Sequence, residues 1–548
     1  MNNNYSVNAN YVLAQGIISV LEYFNVTDIC IAPGSRSAPF ALALSDNHKI
    51  KQHIHFDERA LAFLALGLAK SRESLIAIIT TSGSAVANLF PAIMEAYTTS
   101  IPLIIITADR PYELLDCGAN QTCMQNHIFG EYALFSHIPA ADEHIPFSFI
   151  ENKLSNKIQQ SLLLKKPLHL NVEIREPIYE AETLKCYKLS PKNTKLTLEH
   201  QNNLHTCEQA IAFDKIISNE TTIFIAGDLS TKQADAIHNY AQAKNIFIIA
   251  DIQSNLRGRT NVCGDYEFRF NDIKFMSTKC KYMVVFGGRF ISKKILNLIS
   301  NYEGDVIWVT ENVQNLNATA KQAQHIQFPI IELLKFTNSK FCTSEKLQNL
   351  LPEPYINLNT TYLLNKNNFS ELSIINALSK IQSKTLFIGN SLIARYCDLL
   401  LTDTTKEIFT NRGVSGIDGQ IATAAGIAQN HSVCAIIGDT TALYDLSSIS
   451  LLQKYKLLLI IINNNGGNIF SKFPIHDENK LNTFFINPHY CNFQNIAKMF
   501  SIEYANPSNL DEFNYEITKN RTNSLIVEVN FSPKEGLKLY EKLLLQQQ

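Results

Sequence analysis

The sequence predicts an α/β protein built as three doubly wound parallel-sheet domains in series. Three observations carry that expectation. Short aliphatic runs recur along the whole chain. Stretches of helical period lie between them. The alternation lapses twice, in polar stretches without periodicity. A run that is apolar at every position is a strand buried on both faces, and such strands alternating with helices form a parallel sheet covered on both sides.

The first set of strands is "DICIAPG" (28–34), "LIAIITT" (75–81), "PLIIITAD" (102–109) and "PLHLNVEI" (167–174). The pattern fades over 185–203, which reads as a linker. A second set follows: "TTIFIAGD" (221–228), "NIFIIAD" (245–251), "KYMVVFGG" (281–288) and "GDVIWVTEN" (304–312). The polar stretch 351–368 closes it. The third set is "TLFIGNS" (385–391), "EIFTNRG" (407–413), "VCAIIGD" (433–439), "LLLIIINNN" (457–465) and "SLIVEVN" (524–530). The expected domains are therefore 1–185, 204–350 and 369–548. No repeat is visible residue by residue, so the likeness among them is architectural.

A length of 548 residues and a hydrophobic share of 46% suit three such cores. The net charge of −2 gives no support to a nucleic-acid or anionic-membrane partner. It leaves a small anionic substrate open, because a local basic pocket barely moves the total. The 11 cysteines form no CxxC pair, so zinc-ribbon and thioredoxin chemistry lack support. Scattered cysteines fit a reduced compartment. The start lacks a basic segment followed by an apolar run, and runs such as "LLLIII" (457–462) are too short to span a bilayer. A soluble, cytoplasmic protein without a membrane span is expected.

Ligands gather at the carboxyl ends of parallel strands. There the chain places Ser35-Arg36, Ser82-Gly83, Asp109-Arg110, Asn390-Ser391 with Arg395 a turn later, Asn411-Arg412, Gly438-Asp439 and Asn464-Asn465-Gly466. Asp439 and Asn464 follow successive strands. A carboxylate, an amide oxygen and a backbone carbonyl are half an octahedron of hard oxygen ligands, which suits Mg²⁺. Thr440, Thr441 and Ala442 open the helix between, where backbone N–H groups meet a diphosphate. Gly-Asp and Asn-Gly are ordinary turns taken singly. The pair on neighbouring strands is more specific. "HFDERALAFLALGLAK" (55–70) reads as a helix with one buried face (Ala60, Phe63, Leu64, Gly67, Leu68) and a charged first turn, the bland assignment for Asp57, Glu58 and Arg59.

The Gly-Asp…Asn-Asn pair resembles the cofactor motif of the thiamine-diphosphate (ThDP)-dependent decarboxylase-like superfamily, with Thr440 where the generic motif has glycine. The resemblance implies the order pyrimidine-binding, central and diphosphate-binding domain. It makes Glu58 the glutamate that shares a proton with the cofactor's aminopyrimidine. "APGSRSAPF" (32–40), "TTSGSAVANLFPAIMEA" (80–96), "TADRPYEL" (107–114), "GANQT" (118–122), "GNSLIAR" (389–395), "NRGVSGIDG" (411–419), "GDTTALYDL" (438–446) and "NNNGGNIFS" (463–471) narrow it. With 55–70 they resemble the 2-succinyl-5-enolpyruvyl-6-hydroxy-3-cyclohexene-1-carboxylate synthase (MenD) family, transferases of menaquinone biosynthesis. The blocks span both outer domains; the central one is matched mainly by position.

That family decarboxylates 2-oxoglutarate and adds the succinyl carbanion to isochorismate. The resemblance implies that Asp439, Asn464 and Gly466 hold Mg²⁺ or Mn²⁺. Asn390, Gly438, Thr440, Thr441 and Ala442 would contact ThDP. Ile417 would wedge it into a bent shape, and Ile469 and Phe470 would line the cofactor and succinyl side. Ser391, Arg395 and Arg412 would face the oxoglutarate-derived part; Ser35, Arg36, Arg110 and Gln121 would face isochorismate. The family contributes a Lys-Arg pair from the central domain. Here Lys293 and Lys294 stand there, the second keeping the charge and losing the fork, with Arg289 a competing contact. A homodimer or homotetramer is implied, with sites shared between subunits.

Two other readings compete. An acetohydroxyacid synthase-like ThDP enzyme shares Glu58 and Asp439, but has no need of Arg395 and Arg412 for a distal carboxylate. A catalytically silent ThDP-fold protein is disfavoured by the intact Glu58, Asp439 and Asn464, and no GxGxxG follows a central strand.

Overall fold

The computed structural model describes residues 8–142, 145–178, 203–311, 314–335 and 369–545. The stretch 185–203, read as a linker, lies outside the described residues except for its last residue, and the polar stretch 351–368 lies wholly outside them, as do the expected boundaries at 185 and 350.

Each aliphatic run singled out above forms a strand, in three six-stranded sheets. The first holds β1 (Asp28–Ile31), β2 (Lys51–Ile54), β3 (Ile76–Thr80), β4 (Leu103–Asp109), β5 (Leu134–Ile138) and β6 (Leu168–Glu173), in the order β2-β1-β3-β4-β6-β5. The second holds β7 (Thr222–Ala226), β8 (Phe247–Ala250), β9 (Val262–Cys263), β10 (Tyr282–Phe286), β11 (Asp305–Thr310) and β12 (Gln324–Gln327), in the order β12-β11-β10-β7-β8-β9. The third holds β13 (Thr385–Ile388), β14 (Glu407–Thr410), β15 (Val433–Gly438), β16 (Leu457–Asn463), β17 (Glu503–Ala505) and β18 (Leu525–Asn530), in the order β14-β13-β15-β16-β18-β17. Every pairing is parallel. The first and third sheets share one strand order, and the second is wound differently. In the first and third, the winding reverses between β1 and β3 and between β13 and β15. Such switch points open a crevice at the strand ends, and the motif loops leave from there.

Contacts divide the chain into two units. The first holds Met1–Thr197, Asn411–His431 and Asp445–Tyr455; the second holds Leu198–Thr410, Ser432–Tyr444 and Lys456–Gln548. In the first unit, the helix Glu58–Arg72 is capped by Asp57, whose side chain accepts from Ala60 N. It ends at Glu73 in the left-handed region, with Lys70 and Arg72 in the last turn, where cations suit the helix dipole. The expectation of one buried face is corrected: all ten residues from Ala60 to Ala69 are buried. The cause is a second helix, Gln420–Ile427, packed on the other side. The two backbones nearly touch. A Cβ on Gly67 would sit 2.1 Å from the Thr423 carbonyl oxygen, and one on Gly426 would sit 2.3 Å from that of Leu64. Gly67 and Gly426 are the residues that permit that approach.

In the second unit, a buried ion pair joins the second and third sheets. Arg257 Nη2 lies 2.5 Å from Asp398 Oδ1, and Arg257 Nη1 donates to the carbonyls of Asp398 (2.7 Å) and Leu401 (3.1 Å). Cys30, Cys263, Cys280, Cys397 and Cys434 are buried and free, as small core residues would be, while Cys117, Cys123 and Cys491 are free and exposed. Among the described residues no helix is long and apolar enough to cross a membrane.

Candidate active site

In the first unit, the loops after β1, β3 and β4 meet. Gly34 faces the Thr81 side chain at a distance no larger residue permits. Arg110 donates through Nη1 to Ser82 Oγ, and Gln121 donates through Nε2 to the Ser82 carbonyl at 2.8 Å. Arg36 is buried and donates to the Ile174 carbonyl at 2.9 Å and to Glu176 at 3.2 Å. Its Nε is buried without a partner. Burial, and then the charge of Arg36, hold the Arg110 guanidinium below its ordinary value. Of the four residues assigned by resemblance to isochorismate, Arg110 and Gln121 thus meet at Ser82, Arg36 is near enough for its charge to act on Arg110, and Ser35, next to Arg36 in the chain, is exposed. Asp109, next in chain, keeps its carboxyl on the Asn171 amide at 2.7 Å; burial pushes it up against that bond.

Glu58 opens its helix half-buried, and Asn88 Nδ2 donates to its Oε2 at 3.3 Å. Asp57 keeps the bland role as cap. Burial raises its carboxyl, but bonds from Ser447 Oγ (2.5 Å) and Ala60 N (3.1 Å) outweigh that and hold it below its ordinary value. Arg412 and Ile417, both half-buried, lie on the loop 411–419 of the same unit. Gly419, at φ +63°, ends that loop against the Phe63 ring.

In the second unit, Asp439 is buried at the end of β15. Its Oδ1 accepts from Thr440 N at 2.6 Å; its Oδ2 accepts from Gly466 N at 2.8 Å and lies 3.0 Å from His489 Nε2. Three oxygens converge on the single Nδ2 of Asn468: Asn464 O at 2.6 Å, Asn464 Oδ1 at 3.0 Å and Gly466 O at 3.4 Å. Oxygens gathered on one positively polarised donor, beside a buried carboxylate, are a donor set that fits a hard divalent cation. Among the described residues no three His, Cys, Asp or Glu side chains gather as a metal site; this set draws on one carboxylate, one amide and backbone carbonyls. Thr440 is exposed, and Thr441 and Ala442 are buried behind it. Asn390 is buried at the end of β13. Ser391 has φ +68° and ψ −131°, a strained conformation for a residue with a Cβ, and Arg395 Nη1 donates to its carbonyl at 2.7 Å. Ile469 packs on the core; Phe470 is exposed and stacks near Phe473 and Phe485. Lys293 and Lys294 begin the helix Lys293–Ser300. Lys293 is exposed, and Lys294 is engaged by Glu267 at 3.1 Å.

Three supporting residues escaped the sequence reading. Glu371 is buried and accepts from Asn464 Nδ2 at 2.7 Å, which turns the Asn464 oxygen toward the cluster; burial raises its carboxyl. His489 and Asn468 are the others. Glu371 and His489 meet Asn464 and Asp439 only through folding; Asn468 stands four residues beyond Asn464, and no periodicity flags any of the three.

Comparison with known proteins bears on the family. Residues 12–129 match the family model described as thiamine pyrophosphate enzyme, N-terminal TPP binding domain, and residues 190–388 match the middle domain of thiamine pyrophosphate enzymes. A 2-succinyl-5-enolpyruvyl-6-hydroxy-3-cyclohexene-1-carboxylate synthase of Psychromonas ingrahamii is 33% identical, over 95% of this chain and 93% of its own. The synthase of Shewanella frigidimarina is 34% identical over 98% of both chains. The chain belongs to the 2-succinyl-5-enolpyruvyl-6-hydroxy-3-cyclohexene-1-carboxylate synthase family. The synthase of Haemophilus influenzae is 32% identical over 96% of both chains. A crystal structure of benzoylformate decarboxylase from Polynucleobacter necessarius superposes with a TM-score of 0.70, over 95% of this chain and 98% of that one, at 16% identity, which speaks to the fold alone. The synthase family is favoured over the acetohydroxyacid synthase-like alternative, and ThDP is the cofactor to which its first domain is matched.

Proposed function

We propose that this chain decarboxylates 2-oxoglutarate and joins the remaining four-carbon unit to isochorismate, using ThDP and Mg²⁺ or Mn²⁺. The product is 2-succinyl-5-enolpyruvyl-6-hydroxy-3-cyclohexene-1-carboxylate, made for menaquinone biosynthesis in the cytoplasm. The observation that carries the substrate choice is the buried pair Arg36 and Arg110 at the strand ends of the first sheet. Two buried guanidinium groups, with Arg110 held below its ordinary value by burial and by the charge of Arg36, call for an anion, and both substrates are dicarboxylates. An enzyme that takes pyruvate has no distal carboxylate to place at Arg395 and Arg412.

When bound, ThDP supplies the electron sink that lets a 2-oxo acid lose its carboxylate as CO₂. The chain's residues do the rest. Glu58 holds, on a carboxyl oxygen, the proton shared with the cofactor's pyrimidine nitrogen; Asn88 fixes Oε2 and the Asp57 cap fixes the turn that presents it. Ile417 would be the aliphatic wedge against the bound cofactor. Asp439, Asn464 and Gly466 hold the cation, and the N–H groups of Thr440, Thr441 and Ala442, with Gly438 and Asn390, receive the diphosphate. Ser391, Arg395 and Arg412 orient the 2-oxoglutarate carboxylates, while Ile469 and Phe470 keep water from the reacting carbon. Ser35, Arg36, Arg110 and Gln121 orient isochorismate, with Lys293 and Lys294 adding positive charge. The domains run 1–185 (pyrimidine-binding), 204–350 (central) and 369–548 (diphosphate-binding). Glu58 of one copy works with Asp439 of another, in a homodimer or homotetramer.

The test is CO₂ release from 2-oxoglutarate against pyruvate, with isochorismate as acceptor, with and without ThDP and Mg²⁺. Preference for pyruvate would overturn the reading.

A further inference from the structure

One buried acid of the first unit has no place in the scheme above. Glu95 lies on the helix Phe90–Thr98 and is 1% exposed. A carboxylate so far from water is costly unless it is tightly paired. Its Oε1 accepts from Gly413 N at 2.8 Å, and its Oε2 accepts from Val414 N, also at 2.8 Å. Each oxygen therefore holds one of two consecutive peptide groups, with charge-assisted bonds. Lys70 Nζ stands 3.7 Å from Oε1 and donates to Asn411 Oδ1 at 3.0 Å, so the cation that balances Glu95 holds the same loop. Asn411 Nδ2 donates in turn to Thr423 Oγ1 at 2.8 Å. Gly413 is shaped to this contact: a Cβ there would lie 2.4 Å from Thr98 Oγ1 and 2.8 Å from Glu95 Oε2. The loop is thus pinned at its start by Glu95 and Lys70 and at its end by Gly419 on Phe63. Arg412 directly precedes the gripped peptides, and Ile417 lies between the two pins.

We infer that Glu95 is a positioning residue for the reaction: its carboxylate grips the 413–414 backbone and thereby sets where Arg412 and Ile417 point. This rests on the roles proposed above for those two side chains. A glutamine at 95 keeps the shape, but offers one oxygen to two donors and turns an NH₂ toward the other.

The experiment uses the full-length protein. In Glu95→Gln, hydrogen exchange at the 413 and 414 amides rises at least about tenfold, while the amides of Gln420–Ile427 keep their protection. With 2-oxoglutarate, kcat/KM falls about 10–100-fold, as for a misplaced binding group, while the isochorismate KM moves less than about threefold. In an Arg412→Ala background, the same substitution costs several-fold less than in the wild type, because one of the two residues it acts through is gone and only the path through Ile417 is left. Additive losses would overturn the inference, and so would unchanged exchange at 413–414 or a loss of protection throughout 420–427. If Glu95→Gln does not fold, Gly413→Ala breaks the same contact from the loop side and is held to the same outcomes. The exchange result needs no substrate. A wild-type enzyme that rejects 2-oxoglutarate would sink the proposed function and leave the grip on the loop to be judged by exchange alone.

Discussion

Replacing Gly67 with alanine sets two known effects against each other. In an isolated helix the change would stabilise by about 1 kcal/mol, since glycine is a poor helix former. Here the new Cβ would lie 2.1 Å from the Thr423 carbonyl oxygen and 2.9 Å from its carbon. An ordinary contact needs more than an ångström of extra room. The obstacle is backbone, so no rotamer relieves it, and the helices Glu58–Arg72 and Gln420–Ile427 must separate. Overpacking costs about 1–3 kcal/mol, and a rigid obstacle puts this site at the upper end. The net is a loss of about 2 kcal/mol. For a unit of this size that lowers Tm by roughly 4–8 °C in calorimetry. Glu58 opens the displaced helix, so kcat falls as well. An unchanged or raised Tm would refute the close-packing argument and leave the glycine without an explanation.

Glu58→Gln is expected to lose most of its turnover while still binding ThDP in a calorimetric titration; near-wild-type turnover would remove the proton role. Arg395→Ala is expected to raise the KM for 2-oxoglutarate more than that for isochorismate, and equal effects would undo its assignment. Asp445 is buried and caps Ile421 N and Ala422 N, and burial pushes its carboxyl up to about 6. The native state therefore binds this proton more tightly than the unfolded chain. Its contribution to stability is full below the ordinary carboxylate value of 3.8 and is lost as pH rises toward about 6. Denaturation of wild type and Asp445→Asn between pH 4 and 7 should show curves that diverge over that window; parallel curves would refute the shift.

The strands legible in the sequence were those buried on both faces. β3, β4, β15 and β16 are apolar along nearly their whole length, and burial confirms why. The strands that escaped were β2, β5, β9, β12 and β17, all at sheet edges. An edge strand has one neighbour and a wetter face, so its sequence has no reason to be continuously apolar: β2 is "KQHI" and β12 is "QHIQ". β14, the sixth edge, was found because "EIFT" is mostly apolar.

The candidate site divides the same way. Asp439, Asn464, Arg36, Arg110 and Arg395 were legible because each follows an apolar strand or opens the next helix, and a parallel sheet sends every strand end to one edge. That consequence is topological and needs no coordinates. What only the tertiary structure decided is what each side chain meets. Glu371 reaches Asn464, His489 reaches Asp439 and Glu95 reaches the loop before Ile417 across long stretches of chain. The helix Glu58–Arg72 looked one-sided because Ala62, Ala65 and Ala69 carry too little apolar bulk to read as a second buried face. Gly67, read as part of the buried face, is a glycine because a second backbone lies against it. A sequence shows a residue's size and polarity, but the reason for that size is a neighbour that arrives only on folding.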